Sequence, residues 1–231
     1  SAASDVYKRQ FLDGVQTVMV DEVHMAKADV LKKLLTQNLS NAAIRWGLTG
    51  TVPKADHEFQ SIRASLGEVI NRVSAHELQE KGVLSNCHVN IIQTAEWKEF
   101  GGYAEELKYL VTNTDRMEYL ANLIKEISNS GNTLVLVDRI ESGKFLQTRL
   151  SELFSLLSES PDVPFISGAV KTKDRKESYD EIKTADNKII VATYGVAAVG
   201  INIPRIFNLV LLESGKSFVR VIQSIGRGIR K

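Results

Sequence analysis

The chain has one cysteine in 231 residues. Cys87 therefore has no partner for an internal disulfide, and with no Cys/His cluster around it a zinc site is not expected. Such cysteine use fits a reducing cytosol. No apolar run approaches the length of a membrane span, and the amino terminus lacks a charged-then-apolar signal sequence, so no transmembrane helix is expected. Net charge is also nearly absent: 29 basic against 28 acidic residues leave +1, which neither demands nor excludes a nucleic-acid partner. A phosphate-cradling loop of the form G-x-x-x-x-G-K-[ST] is missing too. Gly215-Lys216-Ser217 ends like one, but Val210 stands where the first glycine belongs.

What is present is ordinary globular material. Hydrophobic residues make up 43% and charged residues 25%, and the length suits one large or two modest domains. Charge is uneven locally: Ser214 to Lys231 holds Lys216, Arg220, Arg227, Arg230 and Lys231 and no acid, a basic carboxyl terminus. Residues 1–10 show no clear periodicity and read as a leader, disordered or even non-native.

The rest alternates between strand and helix patterns. Val18-Met-Val-Asp-Glu-Val-His24 reads as a buried strand that delivers two acids to its tip, and Ala28 to Asn38 as a helix with Val30, Leu31, Leu34 and Leu35 on one face. Ala43 to Thr49 reads as the next strand, ending in Thr49-Gly50-Thr51. Glu58–Leu66 and Ala75–Lys81 are expected as helices, Val69–Val73 and His88–Thr94 as strands, and 95–113 as a solvated connection. Further on, helices are expected at Asp115–Ser128, Ser142–Leu157, Lys173–Lys183 and Phe218–Ile225. Strands are expected at Thr133–Val137, Pro164–Ile166, Lys188–Ala192 and Ile206–Leu212. This rhythm implies α/β architecture with mostly parallel sheets and ligands at the carboxyl ends of the strands. The domain boundary is placed at 113/114, giving a first lobe over 11–113 and a second over 114–231.

Four strand tips carry chemical groups in a fixed order: Asp21-Glu-Val-His24, Leu48-Thr-Gly-Thr51, Ala192-Thr-Tyr-Gly-Val-Ala-Ala-Val-Gly-Ile-Asn-Ile-Pro204 and Gln223-Ser-Ile-Gly-Arg-Gly-Ile-Arg230. In that order and register they resemble the later motifs of superfamily 2 helicases: the DExH Walker B motif, the SAT-type coupling motif, motif V, and the Q-x-x-G-R-x-x-R of motif VI. Within that superfamily the resemblance is strongest to phage helicases of the UvsW type, which share the Tyr-Gly-Val of motif V and the Ile-Gly-Arg of motif VI. It covers about Val15 to Lys231. One departure is Asn202, where many members carry an aspartate; UvsW-type proteins lack that acid as well.

The resemblance implies two RecA-like lobes, the first truncated at its amino terminus because motif I is absent, with ATP and Mg²⁺ as cofactors. Asp21 would hold Mg²⁺ through water and Glu22 would orient and deprotonate the attacking water, the two tasks phosphoryl transfer sets beside charge neutralisation. His24 would couple that site to its neighbours. Arg227 and Arg230, three apart on a helix, would reach the phosphates, with Arg230 as arginine finger. Gln223, Gly200, Thr49 and Thr51 would line the nucleotide. Thr193, Arg139, Ser167 and Gly168 would contact a nucleic-acid strand, DNA that is single-stranded or branched, although the motifs do not separate a DNA from an RNA track. The implied activity is ATP-dependent DNA unwinding or branch migration by a longer parent, in a cytoplasm that would be the bacterial host's if the protein is phage-encoded. Two alternatives stand beside it: a restriction-type translocase that moves on duplex DNA without separating strands, and a non-catalytic nucleic-acid-binding fragment. Nothing in the sequence speaks to oligomeric state.

Overall fold

The computed structural model describes residues 2–25, 28–52, 56–94, 98–155, 163–168, 186–198, 205–213 and 218–228. The chain divides into two compact units, Ser1–Ser74 and Ala75–Lys231.

In the first unit, helix α1 (Ala2–Asp13) leads into strand β1 (Thr17–Val20), a 3₁₀ turn (Val23–Met25) and helix α2 (Ala28–Lys33). The last turn of α2 widens into a π-turn (Leu34–Asn38), closed by Leu39 N–H donating to Leu34 O at 2.9 Å. Strand β2 (Ile44–Gly47) and helix α3 (Asp56–Leu66) complete the unit. β1 and β2 pair in parallel, Val18 opposite Arg45 and Val20 opposite Gly47. Val18 and Val20 pack on a core of Val23, Leu31, Leu35, Leu39 and Ala42, joined by Leu12, Ile62 and Leu66. The opposite face is open: Met19 is 56% and Trp46 51% exposed. β1 is thus not buried on both faces as expected, because among the described residues its two-stranded sheet is packed on one face only. The acids lie directly past the strand, in the turn at its carboxyl end. Residues 2–13 form a helix, anchored in this core by Leu12, where a leader without periodicity was expected.

The second unit opens with helix α4 (Ala75–Glu80), and further along the chain come α5 (Tyr103–Thr112) and α6 (Thr114–Ser128). Strand β3 (Thr133–Val137), helix α7 (Ile140–Ser155), β4 (Phe165–Ile166), β5 (Ile189–Thr193), the short helix α8 (Tyr194–Ala198), β6 (Asn208–Leu211) and α9 (Phe218–Gly228) follow. Four strands form one parallel sheet in the order β4-β5-β3-β6. Both of its faces are covered. Val135, Val137, Ile189 and Val191 meet α6 and α7 through Met117, Ile124, Leu146 and Leu150, while Leu134, Leu136, Ile190 and Ala192 meet Tyr194 and Val196. Alternate residues of each strand thus face opposite layers, which is why these strands read as unbroken apolar runs.

Two expected strands, Val69–Val73 and His88–Thr94, are not strands. Ile70 is 87% and Ile91 90% exposed, and among the described residues neither stretch has a neighbouring strand to take its backbone hydrogen bonds. The expected connection 95–113 contains α5, whose Leu107 and Val111 are buried and which packs on α6 and α7. That contact draws the stretch before residue 114 into the second unit. The helix expected over Lys173–Lys183 lies outside the described residues.

Candidate functional site

In the first unit, the parallel pairing of β1 and β2 brings two tips side by side. Val23 N–H donates to Leu48 O at 3.0 Å and Leu48 N–H to Val20 O at 2.8 Å, so the turn after β1 is laced to the end of β2. Glu22 has a left-handed backbone, φ 48°, and its N–H is held by Asp21 Oδ1 at 2.8 Å. A non-glycine residue in that region is uncommon and marks an over-determined turn. Both acids remain exposed. Beside them the His24 side chain is 3% exposed, with Nδ1 at 2.7 Å from Thr49 Oγ1 and 3.4 Å from Glu22 Oε2.

Proton counting sets the tautomer. The Thr49 hydroxyl donates to Thr51 O at 2.9 Å and accepts from Thr51 N–H at 3.1 Å. Its one proton is then spent, so Nδ1 of His24 carries the hydrogen of the His24–Thr49 bond. Thr51 is 4% exposed, and its Oγ1 has no hydrogen-bond partner among the described residues. The acids, the imidazole and Thr49 therefore form one connected cluster, tied to Thr51 through its backbone.

In the second unit all four strands end at one edge, and the expected nucleic-acid residues end there too: Arg139 beyond β3, Ser167-Gly168 beyond β4, and Thr193 closing β5. Arg139 is 56% exposed and Ser167 7%. Gln223 lies half-buried on α9. Arg227 belongs to α9 by its backbone, but its side chain lies outside the described residues, as do Gly200 and Arg230 entirely.

This edge also holds residues that the motifs did not mark. Glu213, just past β6, has φ 53° and accepts from the Ser142 hydroxyl at 3.0 Å. Burial, the largest influence, pushes its carboxyl above the ordinary range, against the Ser142 hydroxyl, the Asp138 and Arg139 backbone N–H groups and the Arg116 guanidinium, all of which favour the charge. Its Oε1 is buried without a partner among the described residues, and so is Nε of Arg116. Asp138, at the tip of β3, accepts from Arg220 Nη1 at 2.7 Å, and the Arg220 guanidinium lies 5.2 Å from the Tyr194 ring centre. One signal could have found both carboxylates: each is an acid directly after an Ile/Val/Leu strand, as Asp21 is.

Residues 115–231 match the family model described as the helicase conserved C-terminal domain. The chain belongs to this helicase family. Over 222 residues the chain is 28% identical to the ATP-dependent DNA helicase uvsW of Enterobacteria phage T4, covering 93% of this chain and 43% of that protein. It is 25% identical over 245 residues to putative helicase 22 of a Sulfolobus islandicus filamentous virus, covering 96% of this chain and 41% of that one. This helicase chain thus spans about two fifths of the length of the curated relatives it matches. Among solved structures, a fragment of a putative HsdR subunit of a type I restriction enzyme from Vibrio vulnificus superposes with a TM-score of 0.70 at 15% identity, over 98% of this chain and 42% of that one. Likeness at that identity shows the shared fold alone.

Proposed function

We propose that this chain is the part of an ATP-dependent DNA helicase or translocase that runs from the DExH motif to motif VI, with the lobes over 11–113 and 114–231. The observation that carries the reading is the Glu22–His24–Thr49–Thr51 constellation, which joins the acid pair to the next strand tip through a 2.7 Å bond. Such a link lets a change at the acids be felt at the neighbouring motif.

In this reading Asp21 faces Mg²⁺. Among the described residues no three His, Cys, Asp or Glu side chains converge on a common point. A lone exposed carboxylate suits an ion that keeps most of its waters and takes its other ligands from phosphates. Bound Mg²⁺ would neutralise charge developing on the transferred phosphoryl group. Glu22 accepts the proton of the attacking water, and His24, fixed as the Nδ1–H tautomer, keeps the turn in register. The unpartnered Thr51 hydroxyl gives the nucleotide side a polar contact. Arg227 and Arg230 supply positive charge from the second lobe, and Gln223 and Gly200 contribute to the nucleotide surface. Thr193, Arg139, Ser167 and Gly168 hold the DNA backbone through hydroxyls, backbone groups and one guanidinium, in keeping with sequence-independent strand binding. The described residues include no helix long and apolar enough to cross a membrane, and we place the protein in the cytoplasm, that of the bacterial host if a phage encodes it.

Two measurements test this. In a longer protein that supplies a phosphate-binding loop ahead of this chain, Glu22→Gln abolishes turnover while nucleotide binding persists; undiminished hydrolysis would sink the assignment. The chain by itself hydrolyses ATP barely or not at all, and DNA-stimulated turnover from it would show that the loop is dispensable. Strand-displacement assays separate unwinding from duplex translocation.

A further inference from the structure

One carboxylate in the second unit lies against two arginines, one beside it at the tip of β3 and one on α9. Asp138 Oδ1 accepts from Arg220 Nη1 of α9 at 2.7 Å, while Asp138 Oδ2 lies 3.6 Å from Nε of its neighbour Arg139. The Asp138 side chain is 26% exposed, so its ion pairs are partly desolvated and stronger than open-surface pairs. Arg220 is also held over the ring of Tyr194, which is 5% exposed and follows Thr193 directly. The Arg220 contact is short and braced on two sides. The Arg139 contact is long, and that side chain is more than half exposed.

We propose that Asp138 is a positioning residue that couples nucleic-acid occupancy at the strand tips to the placement of the α9 helix. The inference rests on the helicase reading above. The two guanidinium groups share one carboxylate. When a phosphate of the strand takes Arg139, Asp138 loses its second cation and its charge is left to Arg220 alone, which tightens the hold on α9. Residue 227 lies seven positions, about two helical turns, beyond Arg220, so the anchor at Asp138 sets where that turn of α9 sits. Linkage makes the effect mutual: whatever fixes α9 on the nucleotide side alters how freely Arg139 can leave Asp138 for a phosphate. A strand-tip acid bonded to a single arginine would be a staple; an acid between two, one tight and one loose, is a relay.

The test is made in the longer protein, as the ratio of hydrolysis with saturating single-stranded DNA to hydrolysis without it. Asp138→Asn keeps the shape and one acceptor but removes the charge, and the ratio drops about tenfold, within the usual span of coupling between sites. Asp138→Glu, which keeps the charge, retains the ratio to within about threefold. A plain packing role for Asp138 would lower thermal stability and leave the ratio alone. Should Asp138→Asn not fold, Arg220→Gln opens the same contact from the other side and is read in the same way. Unchanged ratios in whichever of these variants folds overturn the inference while the helicase reading stands. A wild-type protein whose hydrolysis DNA fails to stimulate overturns both.

Discussion

A carboxylate at the end of a buried strand must meet a cation or surrender part of its charge. Asp138 and Glu213 stand at equivalent places, the tips of adjacent strands β3 and β6, and solve the problem differently. Asp138 has Arg220 in direct contact. Glu213 has hydrogen bonds from Ser142 and two backbone N–H groups, with the Arg116 guanidinium favouring its charge, and burial still outweighs them and raises its pKa. The raised value fixes the sign of its pH effect. The folded state binds the proton more readily than the unfolded state, so stability falls as pH rises through the window from the ordinary carboxyl value of 4.5 to the higher folded value. Above that window the full cost is present. Glu213→Gln removes the charge and keeps an acceptor for Ser142, so its urea midpoint should lie above that of the wild type at pH 7 and converge with it as pH falls to 4.5. A midpoint below that of the wild type at pH 7 would mean that the charge is needed by Arg116. The strand-tip position of Asp21 and Glu22 was legible in the sequence because the apolar run that sets it lies directly before them. The strand-tip position of Glu213 can be read in the same way, but its burial cannot, since Ser142, the hydroxyl that meets it, lies 71 positions away.

Helix α6 shows what an element needs in order to be read from sequence. Its start is set by Asn113, whose side-chain oxygen accepts from Arg116 N–H at 2.8 Å, and its buried face runs through Met117, Leu120, Ala121 and Ile124. Cap and stripe are both local, so the helix was anticipated to within a residue. Asn113→Ala should cost about 1 kcal/mol, read as a lower urea midpoint with unchanged slope; a loss several times larger would place Asn113 in a wider network. Strands β3 and β5 were equally legible, their runs being buried on both faces. Val69–Val73 and His88–Thr94 also carry several Val and Ile residues and form no strand, because pairing depends on a neighbour that composition does not announce. Helix α5 was missed for the opposite reason: Gly101-Gly102 and the adjacent Glu105 and Glu106 masked the helical spacing of Leu107, Leu110 and Val111. Gly143 shows a third case. Within α7 it looks like a weak point, yet a Cβ there would overlap the Phe165 ring, so the glycine is what lets α7 lie against β4.

At the scale of the molecule, a net charge of +1 means that no long-range field draws DNA in, and affinity must come from local contacts. In the proposed reading those contacts come from the second unit, where four parallel strands end at one edge, so that Arg139, Ser167, Gly168 and Thr193, spread over some fifty positions of sequence, share a border. Only one of these side chains is a cation. Binding of single-stranded DNA by this chain should therefore depend on salt only mildly: with about one phosphate neutralised, the slope for single strands is about −0.7, and affinity falls about threefold from 50 to 200 mM salt. Arg139→Ala should flatten that slope by about 0.7 and weaken binding without regard to base sequence, measured by fluorescence anisotropy over a salt series. A slope several times steeper, untouched by Arg139→Ala, would move the DNA contact from the strand tips to the basic stretch between Ser214 and Lys231 and leave the edge of the sheet as scaffold.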